Sequence, residues 1–411
     1  MTTGVIKNIG WLVNIREQYS LLKGAALAGL PVLANAWLRI REGRILEWGP
    51  MNTLLVHDNE QVWDAQGGAI LPGWCDSHTH IVFAATREEE FVDKIKGLSY
   101  AGIAAKGGGI LNSARRLQST SENDLFNMAW ERLQQLMHLG TTAIEIKSGY
   151  GLTVADELKM LRVIRRLKDT APIPVKATFL GAHAFPEEYR SNHEAYVGLI
   201  ISEMIPAIAK EQLADYIDAF CEEGFFSAEQ TERICRAGMQ YGMLPKIHAN
   251  QLHLSGGVQT GVKLGAISVD HLETMDRPAI ETLAASDTIG TLLPTAAFFL
   301  RMAFQPARDL ISAGCAIALA SDYNPGSSPS GNMNLVVAMS CIQMKMLPEE
   351  AINAATLNGA YAMQLQNETG SITAGKLANL ILTHPIPSIA YIPYSFGTNL
   401  VKKVMVRGTW L

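Results

Sequence analysis

Residues 71–80 read LPGWCDSHTH, from Leu71 to His80. An apolar run that begins at Ala69 carries through Cys75 to Ser77 and closes on two histidines with one residue between them. Alternate side chains of an extended chain point the same way, so His78 and His80 face one side at the end of this run. An apolar run that ends in ionisable groups fits a buried parallel strand whose C-terminal end carries chemistry.

Seven further strand-like runs follow, at 142–148, 175–181, 217–222, 244–249, 267–271, 288–294 and 316–321. Helical patterns separate them. One helix is predicted from Ser121, where Ser121 and Asp124 have capping-box spacing, Leu125, Met128, Leu133, Leu136 and Met137 follow at helical period, and Gly140 stops the run. Another starts near Thr153, with Val154, Leu158, Leu161 and Val163 on one side. Eight strands alternating with helices over about 300 residues predict an α/β fold, a (β/α)₈ TIM barrel. A doubly wound sheet is the alternative, but no GxGxxG follows an early strand, and the Gly107–Gly109 cluster reads as a loop.

Both chain ends read as β structure. Residues 36–48 (AWLRIREGRILEW) alternate about a turn at Glu42-Gly43, and Leu377–Leu382 and Val401–Val406 are short runs without helical period. The expected division is residues 1–68 and 371–411 as the two parts of a small β-sandwich domain, with 69–370 as the barrel.

The 411 residues are 48% hydrophobic and 18% charged, which excludes a disordered or collagen-like chain. A net charge of −5 gives no footprint for a polyphosphate or an acidic bilayer, so neither nucleic acid nor membrane is an expected partner. Five scattered cysteines without a CxxC pair suit a reducing compartment. The first apolar stretch is broken by Asn14 and Arg16, and Ala25–Leu38 contains Pro31 and falls short of the roughly 20 residues a membrane span needs. A soluble, cytoplasmic chain is the expectation.

The strand ends then read as a set: His78 and His80 after the first, Lys147 and Tyr150 after the second, His183 after the third, Glu222 and Glu223 after the fourth, His248 after the fifth, His271 at the sixth and Asp322 after the eighth. Five of the ten histidines fall at such positions, more than scattered structural histidines would supply. His78, His80, His248 and Asp322 offer three nitrogens and one carboxylate oxygen, a donor set for a borderline ion such as zinc or iron that keeps a position open for water.

LPGWCDSHTH, the lone His248, the HLE at His271 and the SD at Asp322 resemble the metal-dependent amidohydrolase superfamily. The closing GSITAGKLANLIL (370–382) resembles this family's entry into its C-terminal sheet, although Asn379 stands where an aspartate is usual. The resemblance implies a (β/α)₈ barrel with a small β domain built from both chain ends, and one Zn²⁺ or Fe ion per subunit. Dinuclear members bridge two metals with a carboxylated lysine on strand four. Here that strand ends in Cys221-Glu222-Glu223, which favours one metal, and Lys147 on strand two is expected to form a structural ion pair with Glu145 or a loop carboxylate.

IEIKSGYGL (144–152), TFLGAHAFP (178–186), VDHLE (269–273), LLPTAAFFL (292–300) and ASDYNPGSSP (320–329) resemble one ring-opening branch of that superfamily. Its implied activity is hydrolysis of the cyclic amide of an imidazolone propanoate. In that reading Arg87 pairs with the propanoate, and Tyr150 and His183 hydrogen-bond the ring and its carbonyl. Gln251 orients the ring, and Asn324, Gly326 and Ser327 belong to substrate or product binding. His271 or Asp322 takes the proton of the attacking water. A heterocycle deaminase is the nearer alternative, disfavoured because Gln251 stands where its proton-shuttling glutamate would be and an amide carries no proton. A catalytically silent barrel is the remoter one, although all four ligand positions are filled. A homodimer is the expected assembly.

Overall fold

The first strand-like run of the barrel is in fact two strands. In a computed structural model that describes residues 3–98 and 108–411, the stretch from Gly68 to Thr79 breaks at Gly73, and its halves join different sheets. Gly73 sits where an added Cβ would fall 2.1 Å from Thr142 Oγ1, and its amide donates to Asn379 O, so the chain crosses here between sheets at close approach. Gly107 of the glycine cluster lies outside the described residues.

Five strands open the chain: β1 (Thr3–Val13), β2 (Val32–Arg41), β3 (Arg44–Pro50), β4 (Gln61–Asp64) and β5 (Gly68–Pro72). The hairpin read from residues 36–48 is β2–β3, with Arg41 facing Arg44. Its turn residues Glu42 and Gly43 both have positive φ, 53° and 75°, the combination that matches the twist of a two-residue hairpin.

Eight parallel strands follow, β6 (Trp74–Thr79), β7 (Thr141–Lys147), β8 (Val175–Ala182), β9 (Tyr216–Cys221), β10 (Leu244–Ala249), β11 (Ser268–His271), β12 (Ile289–Leu292) and β13 (Ala316–Leu319). Each pairs with the next in chain order. The ring is drawn together at its C-terminal rim, where Asp322 N donates to His78 O and His80 N donates to Tyr323 O, both at 2.9 Å. Ser321 adds two bonds to the Asp76 carboxylate, from its amide at 3.0 Å and its hydroxyl at 2.6 Å. The closure therefore runs through the residues on either side of Asp322.

Helices cover the outside for the reasons their sequences give. Ser121 Oγ accepts from Asp124 N at 3.1 Å to start the helix Glu122–His138, and Thr153 does the same through Asp156 N for Val154–Thr170. Such caps contribute about 1 kcal/mol each. Leu125, Leu133 and Leu136 of the first helix and Leu161, Ile164 and Leu167 of the second are buried against the barrel.

The last strands, β14 (Leu380–Pro385), β15 (Val401–Val406) and β16 (Thr409–Trp410), return to the opening ones. They complete one mixed sheet in the order β16-β15-β14-β5-β1-β2-β3, with β4 also on β1. Its core is Ile6, Ile9, Leu12, Leu38, Ile40, Ile70, Leu380 and Met405. Asn379, buried between this sheet and the barrel, donates to Thr142 O at 3.1 Å and accepts from Arg407 N at 2.9 Å. A carboxylate could not make the first of these bonds. No helix among the described residues is long and apolar enough to cross a membrane.

Candidate metal centre and substrate pocket

Three atoms from the two ends of the barrel seam form a near-regular triangle. His78 Nε2 lies 3.3 Å from His80 Nε2, and Asp322 Oδ1 lies 3.5 Å from the first and 3.4 Å from the second. Bonds of about 2.0–2.1 Å to a tetrahedral zinc would separate ligand atoms by about 3.3–3.4 Å, so the donor set fits such an ion. His80 Nδ1 is buried with no hydrogen-bond partner among the described residues, which leaves that ring oriented by its Nε2 side. The other imidazoles crowd the same point. The His248 ring centre is 4.5 Å from that of His78, and His271 lies 5.2 Å from His248 and 5.6 Å from His78. His78, His248 and His271 thus make a second group of converging donors that shares His78 with the first.

The rings that face a carboxylate are told apart by how tightly they do so. His78 Nδ1 donates to Asp270 Oδ2 at 2.7 Å, and Asp218 Oδ2 lies 2.9 Å from His248 Nδ1. The bond behind His78 Nδ1 fixes the tautomer whose Nε2 lone pair points into the centre, whereas Asp218 stands beside His248 Nδ1 in charge contact, out of line for a ring N–H hydrogen bond. Among the described residues His271 Nδ1 has Glu273 Oε1 alone, at 3.4 Å. It also holds φ at 89°, followed by Leu272 at 65°, backbone conformations that non-glycine residues keep only when their surroundings impose them.

Electrostatics sort the same groups. Burial, then the Lys147 ammonium and the neighbouring imidazoles, hold His78 well below the usual histidine range, and burial also lowers His248. Both are therefore neutral, the form that binds metal. Burial opposes charge on His271 too, but Glu273 and Asp322 outweigh it and raise its pKa. For Asp322 the desolvating effect of burial is overcome by His80 and His271, and the carboxyl stays below its ordinary value.

Beside this centre opens a cavity of about 470 Å³. Arg87, Tyr150, His183, Gln251, Asn324, Gly326 and Ser327, the residues expected to hold a substrate, all line it, together with His80, His248, His271 and Asp322. His183 donates Nδ1–H to Gly149 O at 3.0 Å, so Nε2 is free to accept, and burial followed by the nearby imidazoles pushes its pKa down to about 3. Gly149 has φ 113° and no room for a Cβ, which would fall 2.9 Å from that ring. The NPGSS turn is more self-contained than its donors suggest. Asn324 Oδ1 accepts both the Gly326 and Ser327 amides at 2.8 Å, Asn324 Nδ2 donates to Asp322 O and Ser327 Oγ, and Ser327 Oγ lies 3.3 Å from Asp322 Oδ2.

Several supporting residues escape a reading of strand ends. Glu157 accepts from the amides of Gly149, Gly151 and Leu152 and so fixes the loop that carries Tyr150. Glu222 does this for Gln251, through Leu252 N at 2.8 Å and His253 Nδ1 at 3.0 Å. Lys147 pairs with Glu145 at 2.7 Å, as expected, but its other partners are Asp218 and Asp270 on strands, not a loop carboxylate. Asp218 and Asp270 have a signal in the sequence: each is a charge inside an apolar strand run, Ile217-Asp218-Ala219 and Val269-Asp270, and a charge there must be paired.

A family model described as "Amidohydrolase family" matches residues 69–411. A Flavobacterium johnsoniae protein named imidazolonepropionase is 54% identical over 98% of both chains. One of that name from Christiangramia forsetii is 52% identical over 99% of both. Among solved structures, Escherichia coli guanine deaminase superposes with a TM-score of 0.76 at 14% identity, covering 100% of this chain and 99% of its own, a likeness of fold.

Proposed function

The chain belongs to the amidohydrolase family and, within it, to the imidazolonepropionases, and from that premise we propose how it hydrolyses 4-imidazolone-5-propanoate to N-formimidoyl-L-glutamate in histidine degradation. The observation that carries the reading is that one cavity is lined by two chemically distinct groups. His80 and Asp322 line it and, with His78, present three donor atoms 3.3–3.5 Å apart; the Arg87 guanidinium lines it as well. A five-membered cyclic amide with a carboxylate tail matches both groups.

His78, His80, His248 and Asp322 hold one zinc or iron ion in this proposal. When bound, the ion acidifies a water molecule and polarises the amide carbonyl. His271, made more basic by Glu273 and Asp322, takes the proton from the water as its oxygen bonds to the carbonyl carbon. The carbon–nitrogen bond then breaks, and the proton passes to the departing ring nitrogen. Asp322 is the second acceptor for that proton. Tyr150 and His183 hydrogen-bond the ring and its carbonyl, and Gln251 orients the ring. Arg87 pairs with the propanoate, against the wall formed by Asn324, Gly326 and Ser327.

We assign residues 69–370 to the catalytic barrel and 1–68 with 371–411 to its small β unit. The proposal extends to a cytoplasmic homodimer, supported by five free cysteines, four of them buried, and by the prevalence of twofold symmetry among barrels of this size.

The experiment is to incubate the purified protein with imidazolone propanoate, follow formimidoylglutamate, and determine bound zinc and iron. Ring-opened product with about one metal per chain is expected. Ammonia release without that product, or activity in a metal-free chain, would overturn the reading.

A further inference from the structure

Beneath the candidate ligands lies a buried layer of charge: Glu145, Lys147, Asp218, Lys246 and Asp270 have no exposed surface. Lys147 Nζ stands 2.9 Å from Asp218 Oδ2 and 3.5 Å from Asp270 Oδ2. The oxygens it reaches are the same two that face the ligand rings, Asp218 Oδ2 towards His248 Nδ1 and Asp270 Oδ2 towards His78 Nδ1.

We propose that Lys147 is the positioning residue of the metal centre, one ammonium on β7 that fixes the carboxylates of β9 and β11 and, through them, the orientation of two ligand imidazoles on β6 and β10. The inference rests on the reading that His78 and His248 hold the metal.

The opposite oxygens of both aspartates are also fastened. Asp218 Oδ1 accepts from His248 N at 3.1 Å, and Asp270 Oδ1 accepts from Ser268 Oγ at 2.6 Å. Lys147 supplies what these bonds leave open, the rotation of each carboxylate about its own axis. Its third partner, Glu145, shares Oε1 between Lys147 and the Thr178 hydroxyl and gives its other oxygen to Lys246, so the ammonium has a fixed seat. A cation placed anywhere in the layer would balance charge; one that donates to the Asp218 oxygen at 2.9 Å and holds the Asp270 oxygen in an ion pair at 3.5 Å, the two oxygens that face imidazoles, also sets geometry. Carboxylates behind metal-bound histidines affect metal affinity by about 10–100-fold, and a single group that governs two of them should act on that scale.

Four proteins test this: the natural chain, Lys147→Met, Lys147→Met with Glu145→Gln, and Glu145→Gln. The double variant restores the net charge that Lys147→Met alone changes. Each is loaded with zinc and dialysed against graded chelator, and zinc retention is read beside the circular dichroism and melting of the metal-free protein. Both Lys147 variants should release zinc at about 10–100-fold lower chelator with the metal-free fold intact, while Glu145→Gln, which leaves the ammonium on both aspartates, retains zinc like the natural chain. Natural retention by the double variant would overturn the proposal in favour of charge balance. If neither Lys147 variant folds, Glu145→Gln decides: retention within about threefold of natural supports the bridge, and a tenfold loss overturns it. A natural chain that binds no metal would defeat the functional reading itself, an outcome separate from equal retention by natural chain and variants.

Discussion

Glu90 grips Arg87 along one edge. Arg87 Nε donates to Glu90 Oε2 at 2.9 Å and Nη2 reaches the same oxygen, while Nη1 points at Gly326, where an added Cβ would fall 2.2 Å from it. The other oxygen of Glu90 accepts from Gly109 N at 3.0 Å, which ties the helix Glu88–Ile95 to the start of Ile110–Ser119. Arg87 is thus held at the pocket wall, with the Nε/Nη2 edge of its fork engaged by Glu90 and, among the described residues, no hydrogen bond from Nη1.

Removing the guanidinium should act on binding. A charge-assisted hydrogen bond is worth about 1.5–3 kcal/mol, so Arg87→Ala is expected to raise KM for the propanoate substrate about 10–100-fold with a smaller change in kcat. Glu90→Gln keeps the arginine but loosens its seat, and should raise KM less, by about 3–10-fold. Steady-state kinetics of the two variants checks the order. An unchanged KM in Arg87→Ala would move the carboxylate site to Lys94, the other lysine or arginine that lines the cavity among the described residues.

Gly326→Ala tests the same wall from the other side. Its Cβ would displace Nη1, the mobile end of a side chain, so the fold should tolerate it, with a melting temperature within a few degrees of the natural chain. The expected signature is a raised KM at nearly unchanged stability. A large loss of stability with KM intact would mean that the glycine serves the turn and not the arginine.

His271 is tested by separating proton transfer from metal binding. Asparagine retains a hydrogen-bonding side chain but cannot cycle a proton, so His271→Asn should lower kcat about 10²–10⁴-fold with zinc or iron retained in full. Loss of metal would instead make His271 a ligand in the group it forms with His78 and His248. His248→Ala provides the contrast, since it should lose both metal and activity.

These residues differ in how openly the sequence displays them. His78, His80, His248, His271 and Asp322 can be read from a line of text because a barrel puts its chemistry at strand ends, and strand ends are visible as the points where apolar runs stop. Asp218, Asp270 and Lys246 sit inside those runs, where their partners come from strands tens of residues away and only the closed ring brings them together. Glu90 belongs to the run Glu88-Glu89-Glu90, which reads as a solvated helix start. The division of the Gly68–Thr79 stretch between two sheets was hidden for a similar reason: the close approach of Thr142 that requires Gly73 is a tertiary fact.

Lys376, within the GSITAGKLANLIL stretch, gives a pH dependence far from the chemistry. Its ammonium is buried with no carboxylate hydrogen-bonded to it among the described residues, donating to Ser371 Oγ at 2.7 Å and Thr369 O at 3.0 Å and lying 3.7 Å from the centre of the Tyr19 ring. Burial pushes its pKa down from 10.5 to about 7. Between these two values the unfolded chain carries a proton on Lys376 that the folded chain has released, so protons favour unfolding and stability rises with pH. The gain from this one group approaches about 1.4 kcal/mol per pH unit above the folded pKa and ends near the unfolded one. Lys376→Met removes the proton and its linkage. In urea titrations at pH 7, 8 and 9 the natural chain should gain stability relative to the variant at each step. Parallel curves for the two proteins would show that Lys376 stays charged in the fold, held by its two oxygen acceptors and the Tyr19 ring face.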